Sequence, residues 1–152
     1  MRDSYSPPSD PFAPFRDLID SADPVATLRE GLIGDGLMID GPFGPRALVY
    51  ADYTASGRAL MQVERFMLEH VLPVYANSHT EASHCGGQMT RMRRAARAVI
   101  ADACGAGPEH AVIFCGAGAT AGLNRLVALW GVGPGVRVLL GPYEHHSNIL
   151  PW

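Results

Sequence analysis

A glycine-rich turn after an apolar run is the segment best suited to bind a phosphate. Residues 111–115 form a continuous apolar run, typical of a strand buried on both faces, and three glycines follow within residues 116–122. Glycines allow a sharp turn and let the backbone approach a ligand. A helix that begins there presents free N–H groups and a positive dipole end, and Thr120 adds a hydroxyl donor. The pattern predicts either a phosphate site or a ligand-free strand-to-helix connection.

Two classes of cofactor fit such a turn. Gly116, Gly118 and Gly122 form a G-x-G-x-x-x-G pattern close to the dinucleotide-binding fingerprint. Glu144 follows near the position of the acid that binds the ribose in that fingerprint. The second class is a phosphate-bearing cofactor with an aromatic ring, such as pyridoxal phosphate. The turn alone leaves both classes open.

A histidine follows the next apolar run. Residues 136–140 predict a second strand, and His145 lies in the segment after it. Ligands of open α/β sheets bind at the carboxyl ends of the strands, so we expect His145 at the same edge as the glycine turn. An imidazole there can stack on a flat ring or transfer a proton near neutral pH. The alternative is a solvated loop histidine.

The polar loop 76–88 could ligate a metal or line an active site. Its candidate side chains are Asn77, His79, Glu81, His84 and Cys85. Their spacing matches no closed zinc pattern, so we favour an active-site lining and predict no metal site. The next helix carries Arg91, Arg93, Arg94 and Arg97 opposite its apolar stripe, which is typical of a solvated face or a subunit contact.

Capping residues and apolar spacing predict the elements that position these groups. Helices are expected over about residues 24–30, 59–72, 90–103 and 123–130, and strands over residues 47–50, 111–115 and 136–140. Asp23 and Pro24 signal the start of the first helix, and Gly105 ends the third. The strand–helix–strand order over residues 111–140 predicts a parallel pair with a right-handed crossover.

The overall composition limits the class of protein. The 152 residues are 47% hydrophobic with a net charge of -3, which favours a globular domain and disfavours nucleic-acid binding. Neither a membrane span nor a signal peptide is apparent, and three irregularly spaced cysteines suggest no disulfide framework. We therefore expect a cytoplasmic protein without membrane or nucleic-acid partners. The composition of residues 1–23 predicts a mobile arm, which Phe12, Phe15, Leu18 and Ile19 could dock on a surface.

Four segments together resemble the N-terminal part of class V aminotransferase-fold enzymes, the group of cysteine desulfurases and selenocysteine lyases. They are residues 50–58, 77–81, 114–120 and 144–152, which read YADYTASGR, NSHTE, FCGAGAT and EHHSNILPW. The resemblance runs from about Pro24 to Trp152. It implies the α/β fold of type I pyridoxal-phosphate enzymes, of which the chain would be the incomplete N-terminal part, with helices and the first parallel strands of the large-domain sheet.

The resemblance also implies roles for individual side chains. It puts Gly118, Ala119 and Thr120 on the phosphate of pyridoxal phosphate, and His145 over the pyridine ring. The substrate-side residues that it implies are Asp52, Thr54, Ala55 and Ser56, with Asn77 and His79 at the entrance of the site. Such enzymes act on small amino-acid-type substrates, as transferases or lyases, and usually form homodimers.

The chain departs from the family in one respect that decides its chemistry. No lysine occurs in the 152 residues, so no side-chain amine of this chain can form the Schiff base on which the family depends. Cys85, Cys104 and Cys115 do not match the nucleophilic cysteine of desulfurases. We therefore expect residues 24–152 to be a partial domain, truncated before the cofactor lysine and without normal turnover alone.

Two other functions remain open at the level of sequence. The Gly116–Gly122 turn could belong to a dinucleotide-binding module, or the chain could be a non-catalytic partner that complements a separate C-terminal piece. A partial domain would expose apolar faces that the absent elements normally cover. Such faces predict association or aggregation.

Overall fold

The computed structural model describes residues 10–116 and 118–152, and these residues form six α-helices and one short hairpin. The helices are α1 (Ala13–Ile19), α2 (Pro24–Glu30), α3 (Met61–Phe66), α4 (His84–Ala103), α5 (Gly118–Trp130) and α6 (His146–Ile149). A π-helical segment, Met67–Val71, and a 3-10 turn, Leu72–Val74, continue α3. The hairpin pairs β1 (Met38–Ile39) with β2 (Arg46–Ala47) in antiparallel register. The chain divides into two compact units, Met1–Val99 and Ile100–Trp152.

An aromatic cluster joins α1 to α3 in the first unit. The Phe66 side chain is only 7% exposed, and its ring centroid lies 6.1 Å from that of Phe12 and 5.6 Å from that of Phe15. These contacts confirm that the aromatic residues of the arm dock on the rest of the unit. The predicted mobility of residues 1–23 stays a prediction, since residues 1–9 lie outside the described part of the chain.

Helix α2 has the bounds that its capping residues predict. The Asp23 carboxylate accepts a hydrogen bond from the Ala26 N–H at 3.0 Å, and Pro24 occupies the first helical position. Beyond the helix, the Gly31 carbonyl accepts a bond of 2.7 Å from the Met61 N–H. This bond ties the end of α2 to the start of α3, the helix predicted over residues 59–72.

Helix α4 begins six residues earlier than the sequence predicts. Ser83 caps it, because its Oγ accepts a hydrogen bond from the Gly86 N–H at 3.1 Å. Gly86 and Gly87 are unfavourable in helices and so conceal this start in the sequence. The structure shows why glycine stands at 86: a Cβ there would lie 2.6 Å from Thr80 Cγ2. The loop before α4 therefore packs directly on the first turn of the helix.

The other end of α4 confirms the predicted stop at Gly105. This glycine has a φ of +65°, in the left-handed region, and its N–H donates to the Asp102 carbonyl at 3.0 Å. The Ala106 N–H donates to the Ala101 carbonyl at 2.8 Å. The two bonds form a Schellman motif, which satisfies carbonyls that the helix end would leave without a donor.

The predicted parallel strand pair is corrected by the structure. Within the described residues, neither 111–115 nor 136–140 is a strand, and of residues 47–50 only Ala47 lies in a strand. The apolar side chains are exposed rather than buried on both faces, by 57% at Ile113 and 98% at Leu139. A parallel strand requires neighbouring strands and cover on both faces, and the described residues supply neither. The helix between the two segments, α5, is confirmed.

Candidate functional site

The glycine turn and the start of α5 form one half of the candidate site. Gly116 and Gly118 have φ values of +97° and +72°, which lie in the left-handed region that favours glycine. Helix α5 begins at Gly118 and runs for 13 residues. Ala119 and Thr120, in its first turn, are exposed. Because the first N–H groups of a helix have no acceptor within it, this turn presents donors and a positive dipole end to an anion.

The space at this turn is open to a ligand. Apart from the chain neighbours of each glycine and the backbone of α5 itself, no heavy atom of the described residues lies within 4 Å of a Cβ built on Gly116, Gly118 or Gly122. The Thr120 carbonyl accepts a hydrogen bond from Asn124 Nδ2 at 2.8 Å, while no group in the described ranges bonds to its hydroxyl. The phosphate end of pyridoxal phosphate therefore fits the residues present.

His145 caps the short helix α6. Its Nδ1 accepts the Ser147 N–H at 3.1 Å and lies 2.9 Å from Ser147 Oγ. A backbone N–H can only donate, so Nδ1 carries the lone pair and the neutral ring carries its proton on Nε2. The residue that the sequence assigns to the cofactor ring thus presents an N–H donor at Nε2. Its ring is exposed and lies 5.9 Å from that of His146.

Helices α5 and α6 meet near the end of α5 that lies away from Thr120. The Trp130 and Trp152 rings are 6.3 Å apart, and Trp152 Nε1 donates to Asn148 Oδ1 at 3.0 Å. Trp130 lies about 15 Å along the helix axis from Thr120. Across the described residues, no hydrogen bond or ring contact joins His145 to the glycine turn, so the proximity predicted for them stays a prediction.

A closed turn holds three of the predicted substrate-side residues in the first unit. The Ala55 and Ser56 N–H groups both donate to the Asp52 carbonyl at 3.2 Å. The Tyr50 phenol donates to the Ser56 carbonyl at 2.5 Å and reaches the Asp52 carbonyl at 3.3 Å. The Arg58 guanidinium lies 5.5 Å from the centroid of the Tyr50 ring. Asp52, Ala55 and Ser56 are themselves exposed.

Tyr50 and Arg58 support this turn, and neither role is predicted from the sequence. Arg58 Nη2 donates to the Ile33 carbonyl at 2.8 Å, which anchors the turn to the segment after α2. Both residues stand at the ends of the 50–58 segment that carries the resemblance, and that position is the signal that could have identified them. Their partners are backbone carbonyls, which a residue pattern does not reveal.

The entrance residues Asn77 and His79 lie in the loop before α4. His79 has a φ of +91°, and its N–H donates to Thr90 Oγ1 at 3.3 Å. Asn77 is exposed. In the part of the chain that the structure describes, no hydrogen bond joins either residue to the Asp52–Ser56 turn.

The metal interpretation of this loop has no support in the geometry. Glu81 forms an ion pair with Arg94 at 2.7 Å, and His84 begins α4. Over residues 10–116 and 118–152, no three His, Cys, Asp or Glu side chains gather at a spacing suited to a metal ion.

A helix that crosses a membrane must be both long and apolar. Over the same ranges, no helix meets both requirements.

Comparison with known proteins places the chain in a family. The family described as Aminotransferase class-V matches residues 49–152, which include the Asp52–Ser56 turn, the glycine turn and His145. The chain belongs to the class V aminotransferase family. It is 32% identical to a cysteine desulfurase of Klebsiella pneumoniae over 108 residues, which are 69% of this chain and 26% of that protein.

Other class V relatives agree with this assignment. The chain is 33% identical to a probable cysteine desulfurase of Pseudomonas aeruginosa, over 72% of this chain and 28% of that protein. It is 26% identical to one of Mycolicibacterium paratuberculosis, over 95% of this chain and 21% of that protein. The chain thus spans about a quarter of the length of the curated relatives it matches. No solved structure matches it significantly.

Family membership also bears on the dinucleotide alternative. That alternative requires a strand before the turn and an acid after a second strand, and neither strand is present in the described residues. Glu144, the candidate acid, instead accepts a hydrogen bond from Asn148 Nδ2 at 2.9 Å. The type I fold also has parallel strands, so it is the family match over residues 49–152 that favours the class V assignment.

Proposed function

We propose that the chain is the N-terminal part of a pyridoxal-phosphate-dependent class V enzyme of the cysteine desulfurase and lyase type, and that it holds the phosphate end of the cofactor. The observation that carries the proposal is the exposed first turn of α5, where Gly116 and Gly118 both have φ values in the left-handed region. When bound, pyridoxal phosphate supplies an electron-withdrawing ring for chemistry at the Cα or Cβ of an amino acid.

Gly118, Ala119 and Thr120 bind the phosphate in this proposal. The N–H groups of the first turn donate to the phosphate oxygens, and the Thr120 hydroxyl adds one more donor. Among the described residues, no side chain fills the space where a Cβ on Gly116 or Gly118 would lie, which leaves room for the anion to approach the backbone. A helix of 13 residues contributes its dipole in the same direction.

His145 provides the flat surface for the cofactor ring in this proposal. Its capping bond to Ser147 fixes the orientation of the imidazole and keeps the proton on Nε2. A ring fixed in this way stacks or donates a hydrogen bond from Nε2 without a change of tautomer. Proton transfer through Nδ1 would require the bond to Ser147 to break.

The Asp52–Ser56 turn, with Asn77 and His79, forms the substrate side. The Tyr50 phenol keeps the turn closed, and its exposed residues are available to a small amino-acid substrate. We propose that the complete enzyme is a homodimer with such a substrate. A cytoplasmic location remains a prediction.

The chain alone has no normal turnover in this proposal. Because it contains no lysine, the covalent bond between enzyme and cofactor requires a residue from outside these 152 residues. That residue comes from the same polypeptide or from a separate piece that the chain complements. The aligned residues cover only 26% of the Klebsiella pneumoniae relative, which leaves room for this further part.

Substitutions at Thr120 test the proposal. Pyridoxal phosphate is titrated into the full chain, and its binding is followed by absorbance and by calorimetry. Thr120→Val keeps the shape of the side chain but loses the hydroxyl, so we expect affinity about tenfold lower. Thr120→Ser keeps the hydroxyl and should bind nearly as the unaltered chain does. Equal affinity in all three chains would contradict the proposal.

A further inference from the structure

A second cluster of polar groups lies in the first unit, on α4 and the loop before it. A cavity of about 240 Å³ opens there between the loop and one face of the helix. Among its lining residues are His79, Glu81, Thr90, Arg93, Arg94 and Arg97. Of these, the proposed function uses only His79.

Arginine is the most frequent residue in the described lining of this cavity. Three guanidinium groups belong to that lining, and the Arg94 guanidinium forms an ion pair with the Glu81 carboxylate at 2.7 Å. Arg93 and Arg97 are four residues apart, so they stand one above the other on the same face of α4. A guanidinium has several N–H donors in a planar fork, and a contact made by one of them leaves others for an oxyanion.

The wall opposite these arginines is held in an unusual backbone conformation. His79 has a φ of +91°, which is uncommon for a residue with a side chain, and its N–H donates to Thr90 Oγ1 at 3.3 Å. Thr90 is itself on α4 and lines the cavity. Strain of this kind is concentrated at binding and catalytic sites, where the surrounding structure maintains it. The loop is therefore fixed against the helix at the mouth of the cavity.

We propose that this cavity binds a small oxyanion of the phosphate class, held by Arg93 and Arg97. The cavity is smaller than the usual pocket for a drug-sized ligand, roughly 300–1,000 Å³, and suits a single charged group. Bidentate contacts from a guanidinium fork match the oxygens of such a group. The ligand is either the free anion or the terminal group of a phosphate monoester.

Calorimetric titration of the full chain with inorganic phosphate tests the proposal, with sodium chloride at matched ionic strength as the reference. We expect saturable binding, weakened about tenfold by Arg97→Gln and by Arg93→Gln. Arg97→Lys keeps the charge and should retain part of the affinity. Arg125→Gln, on exposed α5, is the matched control and should bind as the unaltered chain does. Circular dichroism of each variant identifies any that fails to fold.

Further measurements distinguish this site from the proposed cofactor site and identify its ligand. Thr120→Val should leave phosphate binding at this cavity unchanged, which distinguishes it from the proposed cofactor site. The second measurement compares the affinity of a phosphate monoester, glycerol phosphate, with that of inorganic phosphate. A higher affinity for glycerol phosphate would identify the ligand as the terminal group of a monoester. An equal or lower affinity would identify it as the free anion. Absence of saturable binding, or equal binding by Arg93→Gln, Arg97→Gln and Arg125→Gln, would overturn the proposal. Loss of the binding in Thr120→Val would assign it to the glycine turn instead.

Discussion

The Tyr50 phenol donates a hydrogen bond of 2.5 Å to the Ser56 carbonyl, six residues further along the chain. This bond closes the turn that contains Asp52, Ala55 and Ser56. The Arg58 guanidinium lies over the Tyr50 ring and donates a hydrogen bond to the Ile33 carbonyl. The proposed substrate side is thus supported by two residues that donate hydrogen bonds to backbone carbonyls and contact each other.

Removal of the phenol should loosen this turn without unfolding the unit. In Tyr50→Phe, the Ser56 carbonyl loses its donor, so amide hydrogen exchange at Ala55 and Ser56 should accelerate, up to about tenfold. Nuclear magnetic resonance of the full chain measures this site by site. Tyr143→Phe is the matched control, since Tyr143 is 98% exposed. Equal exchange in the two variants would refute the role given to Tyr50.

Two glycine substitutions should change stability in opposite directions. An alanine at Gly86 would bring a Cβ to 2.6 Å from Thr80 Cγ2, so Gly86→Ala should lower the free energy of unfolding by about 1–3 kcal/mol. A Cβ on Gly122, in α5, would lie within 4 Å of no described atom outside the helix backbone, so Gly122→Ala should raise the free energy of unfolding by about 0.5–1 kcal/mol. Urea unfolding followed by circular dichroism compares them. A stabilising Gly86→Ala would show that the loop and α4 are not in close contact.

Gly86 and the ends of the helices show which features of the fold a sequence can predict. The bounds of α2 and the end of α4 were predictable because capping residues such as Asp23 and Gly105 act on their own neighbours. The start of α4 was missed because the low helix propensity of Gly86 is outweighed by packing against Thr80, which is not adjacent to it in sequence. The strands predicted at 111–115 and 136–140 do not form, for a related reason. A parallel strand depends on pairing with neighbouring strands, and the described residues provide none for these two segments.

The same distinction applies to the candidate site. The glycine turn was predictable, since the left-handed φ of Gly118 and the helix after it are local properties. The supports of the Asp52–Ser56 turn were not, because Tyr50 and Arg58 act through backbone carbonyls. Likewise, the tautomer of His145 follows from its capping bond, which only coordinates reveal.

That capping bond leads to a spectroscopic expectation. The ¹⁵N signals of His145 in its neutral form should identify Nδ1 as the unprotonated nitrogen. A neutral His145 with its proton on Nδ1 would contradict the geometry described for α6.

Exposed apolar side chains in the second unit should drive association of the isolated chain. Leu139 is 98% exposed, beside a cavity of about 510 Å³ that Trp130, Val138 and Trp152 help to line. Sedimentation velocity should show concentration-dependent association, reduced in Leu139→Asp. Phe43→Asp, at an 86% exposed position of the first unit, is the control and should have a smaller effect. A monodisperse monomer at all concentrations would contradict the expectation.

The central claim is that the chain holds the phosphate end of pyridoxal phosphate at the start of α5 and cannot bond to the cofactor covalently through a lysine. The most direct measurement compares pyridoxal phosphate with pyridoxal, which lacks the phosphate, in calorimetric titrations of the full chain and of Arg97→Gln. We predict that pyridoxal phosphate binds at least tenfold more tightly than pyridoxal in both chains, since Arg97 is not one of the residues proposed to bind the cofactor. Equal affinities for the two compounds, or a preference for pyridoxal phosphate that disappears in Arg97→Gln, would contradict the claim.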